Sequence, residues 1–370
     1  MQRNSVLNER HRQLGSLLDG ETWNNMPLPW SYSTNAHDEV VATRTCAGLY
    51  DVTALNLINV SGKDAASVLD QLVSIDISRL KPGSARLAAE VDEQGALVDD
   101  IMVIRDGEEA FRLSHGGGKT KEHLACLAEG KDVKIEPDLD VHILSLQGPK
   151  SLQILSPHAA PGLETLPYFQ HISTTLFGIS VIISRGGYSG ELGYEVYCAS
   201  KDAVFLWDQI LAAGKPFGAM AASWNALELT RIEGALMFFP FEMPEGDTTP
   251  WEVNMSWAID LDKKGNYIGK DALLKLRGRE RIKQAGIICD VPHAVEAGSK
   301  LWIGSKEVGV VTSASYSRYL MQSLALVHLL PAYTALGTRV MVKGTQAECF
   351  ATVVKTPFYD PLRQRTHGKH

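Results

Sequence analysis

The feature that most constrains this chain is a change in hydrophobic period near residue 285. Downstream of it, AGIICDV, SKLWIG, KEVGVVTSAS, SLALVHLL, TRVMVKG and CFATVVKTPFY are short apolar runs separated by glycine, proline and polar turns, the pattern of a small barrel or sandwich. Upstream the signal is mixed. LNLINVSG at 55–62 alternates like a strand, and KDAASVLDQLV then carries Ala66, Val68, Leu69 and Leu72 at helical spacing. RLAAEVDEQGALVDDIMVIRDGEEAFRLS reads as a meander of three strands broken at Glu93–Gln94–Gly95 and Asp106–Gly107. Helix KTKEHLACLAEG follows. VHILSLQGP and ISVIISRGGYSGELGYEVYC supply further strands, and DAVFLWDQILAAG and SWNALELTRIEGALM are helices. The chain is therefore an α+β body followed by an all-β domain.

At 370 residues it exceeds one ordinary core, so two or three domains are expected. A composition of 45% hydrophobic and 21% charged residues is that of a folded globular protein. The net charge of −7, with no clustered basic stretch, argues against a nucleic-acid partner, because phosphate neutralisation needs a basic surface. Five widely spaced cysteines form no C-x-x-C pair of the metal or redox kind, so no metal is expected and most thiols read as buried. Residues 1–25 have no apolar signal core, and no run of about 18 apolar residues occurs. These points imply a cytoplasmic chain with no membrane partner, acting on small molecules.

Several local patterns carry candidate chemistry. Gly116–Gly117–Gly118–Lys119–Thr120 resembles a phosphate loop, but the glycine required at 113 is Leu113. Gly187, Gly190 and Gly193 lie between two strands, so a dinucleotide fingerprint fails on context and a hairpin turn is the plainer reading. Glu195 stands in the apolar run Tyr194–Val196–Tyr197, where a charge is costly unless it faces water or a partner. An outward face and a ligand pocket both satisfy that condition. Asp99–Asp100 opens an apolar strand, and alternation lets only one of the two enter a given pocket. Arg231, in an otherwise apolar helix, has an ion-pair partner three residues earlier at Glu228.

The order of the segments carries more than any one of them. EVVATRTCAGLYDVTALNLINVSGKDAASVLDQL, GALVDDIMV, LSLQGPKS, RGGYSGELGYEVY, LELTRIEGALM, TTPWEV, NYIGKDAL and GVVTSASYS follow at spacings that resemble the aminomethyltransferase family, the glycine-cleavage T-protein and its relatives. The resemblance covers residues 25 to 360. It implies a discontinuous folate-binding first domain at 1–54 and 140–245, an inserted α+β domain at 55–139, and a linker with a C-terminal β-barrel at 246–370. It also implies tetrahydrofolate as cofactor and a one-carbon transfer as the activity. Asp100 then corresponds to the family aspartate near N5 and N10, Glu195 to the glutamate that holds the pterin, and Arg231 to an arginine near the folate. Tyr188 is placed to pack on the cofactor or to anchor its turn. A carboxylate suits the two parallel N–H donors of a pterin edge.

The departures concern the donor. Where the T-protein has serine-histidine-methionine after its Asp-Val, this chain has Thr53–Ala54–Leu55; its tyrosine ahead of the paired aspartates aligns with Leu87, and its asparagine with Gly116, beside His115. Folate contacts are partly kept while the donor side changes. The expected activity is thus demethylation of a small O-, S- or N-methyl donor onto N5, with His115 as a candidate acid beside Asp100. The alternatives are glycine-cleavage aminomethyl transfer, with a lipoyl carrier protein as a doubtful partner, and a non-catalytic folate-binding protein. The iron–sulfur maintenance relatives carry a lysine-glycine-cysteine-tyrosine motif, and here the third position is Asn266.

Overall fold

The computed structural model of the chain describes residues 3–115, 117–345 and 348–368. A six-stranded sheet runs in the order His171–Leu176, Ile179–Arg185, Gly193–Ala199, Val141–Gln147, Gly48–Asp51 and Met220–Ala221. Its central strands come from both sides of the segment 56–137, because Gly48–Asp51 pairs antiparallel with Val141–Gln147. Leu49, Leu144, Leu146, Ile183 and Val196 are buried against Trp207 of helix Ser200–Gly214. Each such fully buried side chain contributes about 1.5–3 kcal/mol relative to exposure.

The intervening segment forms its own five-stranded antiparallel sheet, in the order Ser84–Val91, Leu97–Arg105, Ala110–His115, Asn56–Ser61 and Lys134–Pro137. The meander expected from sequence is its first three strands. At its first turn Asp92 Oδ1 accepts from the N–H groups of Gln94 and Ala96, both at 2.9 Å, while Gly95 takes a φ of +83°. Helix Ala65–Leu72 buries Ala65, Val68, Leu69 and Leu72 on one stripe against Ile101, Val103 and Phe111. Ala65, rather than Ala66, completes the stripe.

The C-terminal strands close into a six-stranded barrel, Lys283–Cys289, Gln322–Leu329, Lys306–Ser317, Lys300–Ile303, Arg339–Lys343 and Glu348–Val354. Helix Trp224–Glu233 lies between the first sheet and this barrel. There Glu233 accepts from Arg44 at 2.8 Å and from Ser317 at 2.5 Å, so one buried carboxylate fastens the two bodies. No described helix is long and apolar enough to cross a membrane.

Candidate functional site

The glycine-rich hairpin after Arg185 is shaped by Gln147 beneath it. The Gln147 side chain donates to Gly186 O at 3.0 Å and accepts from Ser189 Oγ at 2.7 Å. A Cβ at Gly187, whose φ is +151°, would sit 2.1 Å from Gln147 Nε2. The glycine is required by that close approach. The turn carries two glutamates in opposite circumstances. Glu191 is 3% exposed and is held by Tyr359 Oη at 2.6 Å and by Arg44 at 3.8 Å. Glu195 is half-buried on strand Gly193–Ala199 and accepts a single side-chain hydrogen bond among the described residues, from Tyr197 Oη at 3.0 Å.

That single donor matters for what Glu195 can bind. A carboxylate offers about four acceptor positions, so Glu195 retains capacity for two parallel N–H donors. Burial pushes its pKa up and the Tyr197 hydrogen bond pulls it back. Tyr197 is fixed in turn by the Arg112 guanidinium, 5.0 Å from its ring centroid. Arg112 grips Asp106 bidentately at 2.7 and 2.8 Å, and His171 Nε2 meets the same carboxylate at 2.9 Å. The chain Glu195–Tyr197–Arg112–Asp106–His171 therefore ties the first sheet to the second.

Asp99 and Asp100 point to opposite faces of strand Leu97–Arg105, as alternation requires. Asp99 is 1% exposed and accepts the Gly117 N–H at 3.0 Å, which pins the loop after strand Ala110–His115. Its cross-strand neighbour Glu90 is bound by Thr120 and by His123, both at 2.6 Å. Asp100 faces the other way. Burial first, and then the neighbouring Asp99 charge, hold its carboxyl well above the usual range.

The Asp100 charge is also felt by Tyr188, whose phenol is raised by burial against the opposing effect of Arg231. Tyr188 donates its hydroxyl to Met237 O and packs beside Phe238 at 6.5 Å between centroids. Trp23 covers Phe238 at 4.7 Å, and Phe239 lies against Gly117, 3.6 Å from where a Cβ would stand. Leu87, aligned above with a family tyrosine, joins Met237 and Phe239 at the edge of one apolar cluster. Burial thus raises the Asp100 pKa, and its charge reaches Tyr188, which packs beside Phe238.

Arg231 also acts on Tyr188. All five of its N–H donors are used by protein: Glu228 takes two at 2.5 and 3.1 Å, and Leu236 O, Glu242 and Ser313 take the others. The Glu228 pair expected from helical spacing is present, and Arg231 holds the turn into the 237–241 loop. The side chain of His115, and Gly116 beside it, lie outside the described residues; the His115 backbone pairs with Asn56. Thr53, which replaces the first residue of the family tripeptide, is 2% exposed, and its Oγ1 accepts from Ile143 N at 3.1 Å.

Sequence reasoning missed Tyr197, Arg112 and the aromatic run Phe238–Phe239–Phe241. The last had a visible signal, three phenylalanines within four residues after the Arg231 helix. It also missed Tyr168, which senses the Glu195 charge and stacks on Phe169 at 4.2 Å.

Comparison with known proteins identifies the fold and the family. The family model described as the GCVT N-terminal domain matches residues 7–263, and that described as the glycine cleavage T-protein C-terminal barrel domain matches 283–360. The chain is 38% identical to the heme-dependent oxidative N-demethylase gamma subunit of Ectopseudomonas mendocina, over 99% of this chain and 98% of that one. It is 32% identical to an aminomethyltransferase of Bacillus cereus, over 97% and 98%. The crystal structure of aminomethyltransferase T from Bartonella henselae superposes with a TM-score of 0.88 at 24% identity, covering 98% of this chain and 99% of that one. With both domains matched and relatives aligned along nearly their whole length, the chain belongs to the glycine-cleavage T-protein family of folate-dependent transferases.

Proposed function

We propose that this enzyme binds tetrahydrofolate and loads it with formaldehyde-level carbon, which a separate oxidase or dehydrogenase with its own electron acceptor has released from a small N-methyl donor. The observation that carries the reading is the pairing of two carboxylates in different environments, Glu195 with one protein donor and Asp100 with a pKa raised by burial. Glu195 and Asp100 fit a bound pterin: the first has unused acceptor positions, and the second is the acid whose charge acts most on Tyr188. When bound, tetrahydrofolate supplies the nucleophilic nitrogens N5 and N10.

The protein's own contribution is binding, orientation and proton movement. Glu195 anchors the ligand edge-on, and Tyr197 keeps the carboxylate oriented. Tyr188, held by Met237 O, offers a flat wall. Asp100, poised by burial closer to neutrality, takes a proton from the attacking nitrogen and returns one to a departing oxygen. Fixing the two reactants side by side lowers the barrier further by removing their translational freedom.

Support for the formaldehyde level, over methyl transfer to N5, comes from the donor side. A methyl group must be displaced from its heteroatom, which calls for an acid or cation acting on the leaving group. The corresponding segment here, Thr53–Ala54–Leu55, is engaged in backbone structure: Thr53 O and Ala54 O accept from Arg3, at 3.2 and 3.5 Å. A formaldehyde-level carbon is already electrophilic and needs only the proton transfer that Asp100 provides. The oxidative N-demethylase subunit among the relatives is named for chemistry that releases carbon at this level.

The test is product analysis with labelled carbon. Tetrahydrofolate with labelled formaldehyde should give 5,10-methylene-tetrahydrofolate faster than the uncatalysed condensation. Labelled O-, S- and N-methyl donors without an oxidant should give no 5-methyl-tetrahydrofolate. Methyl product from any of these donors, or turnover with a lipoyl carrier protein alone, would replace the reading.

A further inference from the structure

Where helix Trp224–Glu233 meets the barrel, the surface opens into a crevice of about 520 Å³. Its walls carry His37, Asn225, Glu228, His293, Ser315 and Arg318. These groups are unevenly committed. Glu228 already receives two N–H bonds from Arg231. Arg318 is exposed, and no described residue gives it a hydrogen bond or ion pair. Its charge nevertheless acts inside the crevice. His37, which lines the same crevice, is held below its ordinary pKa first by burial and then by the Arg318 charge.

A second and independent observation comes from strand Lys306–Ser317. Ser313, Ser315 and Ser317 fall at alternate, buried positions. Ser313 bonds Arg231 and Glu242, and Ser317 bonds Glu233. Ser315, between them and 3% exposed, has an Oγ with no partner among the described residues. A buried hydroxyl left unpaired is costly, so its retention in the crevice wall marks a place where a ligand acceptor repays that cost.

We infer that the crevice binds a small amino-acid-type zwitterion, its carboxylate on Arg318 with Ser315 and Asn225 as neutral donors, and its ammonium toward Glu228. The crevice meets both charges of such a ligand. Arg318 supplies one uncompensated forked cation, which matches a carboxylate. The Glu228 carboxylate on the facing wall repels a phosphate dianion and attracts an ammonium. The site lies outside the Asp100 and Glu195 surface, and its occupancy does not depend on folate.

Calorimetric titration of the folate-free chain with glycine and N-methylglycine, beside inorganic phosphate, tests this directly. The expected result is millimolar or tighter binding of the zwitterions and weaker binding of phosphate. Loss of the charge-assisted contact in Arg318→Gln should weaken zwitterion binding about tenfold or more. Ser315→Ala should weaken it by a smaller factor, and both variants should keep wild-type folate affinity. Because Arg318 is exposed and has no partner among the described residues, Arg318→Gln should melt with the wild type. No zwitterion binding in the millimolar range, undiminished binding in Arg318→Gln, or phosphate binding at least as tightly would each overturn the assignment.

Discussion

Asp99 and Asp100 show how one peptide unit separates two roles. Asp99 spends its carboxylate on the Gly117 N–H, while Asp100 is left on the opposite face with its pKa raised by burial and by Asp99. The raised pKa has a consequence for stability. Between the ordinary carboxyl value and the raised one, the folded chain binds more protons at this site than the unfolded chain, so stability is greatest below the ordinary value and falls as pH rises through the folded one. Asp100→Asn should remove that slope and melt above wild type at pH 7 to 8, as read by thermal unfolding across pH. A variant that melts below wild type at pH 8 and keeps the slope would show the penalty lies elsewhere. Asp51 runs the other way. Burial opposes its ionisation, but hydrogen bonds with His11, Thr53 and Ser5 hold it down at about 2, so its contribution is present above the ordinary value and is lost as pH falls toward 2.

At the scale of elements, the hairpin around residue 190 and the end of the second sheet together orient Glu195. Tyr197→Phe removes the carboxylate's one side-chain donor without emptying the space. It should weaken folate binding about three- to tenfold with little change in kcat, since an ordinary hydrogen bond contributes about 0.5–1.5 kcal/mol. Equilibrium folate titration checks the first and initial rates the second; unchanged affinity would detach Tyr197 from the site. How far these elements were legible depended on burial. The meander was visible because its strands are apolar and its turns carry Gly95 and Gly107. Strands His171–Leu176 and Lys134–Pro137 were not, because they edge their sheets and alternate with exposed polar residues, which leaves no apolar run to read. The barrel was narrowed to barrel or sandwich, since closure depends on which distant strands pair.

For the whole molecule, the buried charges at the joint between first domain and barrel act as fasteners. Arg231, fully buried, holds Glu228, Glu242 and Ser313 at once. Arg231→Met should lose about 3–5 kcal/mol of stability by leaving Glu242 uncompensated, measured by denaturant unfolding. A loss under about 1 kcal/mol would show that Glu242 is solvated instead. This fastening was only half legible: Glu228 follows from helical spacing, whereas Glu242 and Ser313 meet Arg231 only through tertiary folding. Glu195 and the Asp99–Asp100 pair stand out as charges beside apolar strand residues, and the family resemblance is what selects Glu195 and Asp100; their partners come from other elements and left no local trace. The proposed division of labour gives proton transfer to Asp100 and cofactor binding to Glu195. It is tested by measuring, for Asp100→Asn and Glu195→Gln, the tetrahydrofolate Kd and the rate of labelled-formaldehyde capture at saturating folate. Asp100→Asn should lower the rate at least a hundredfold with Kd within about threefold of wild type, and Glu195→Gln should raise Kd with the saturated rate largely kept. Equal losses of affinity in both variants, or an undiminished rate in Asp100→Asn, would contradict it.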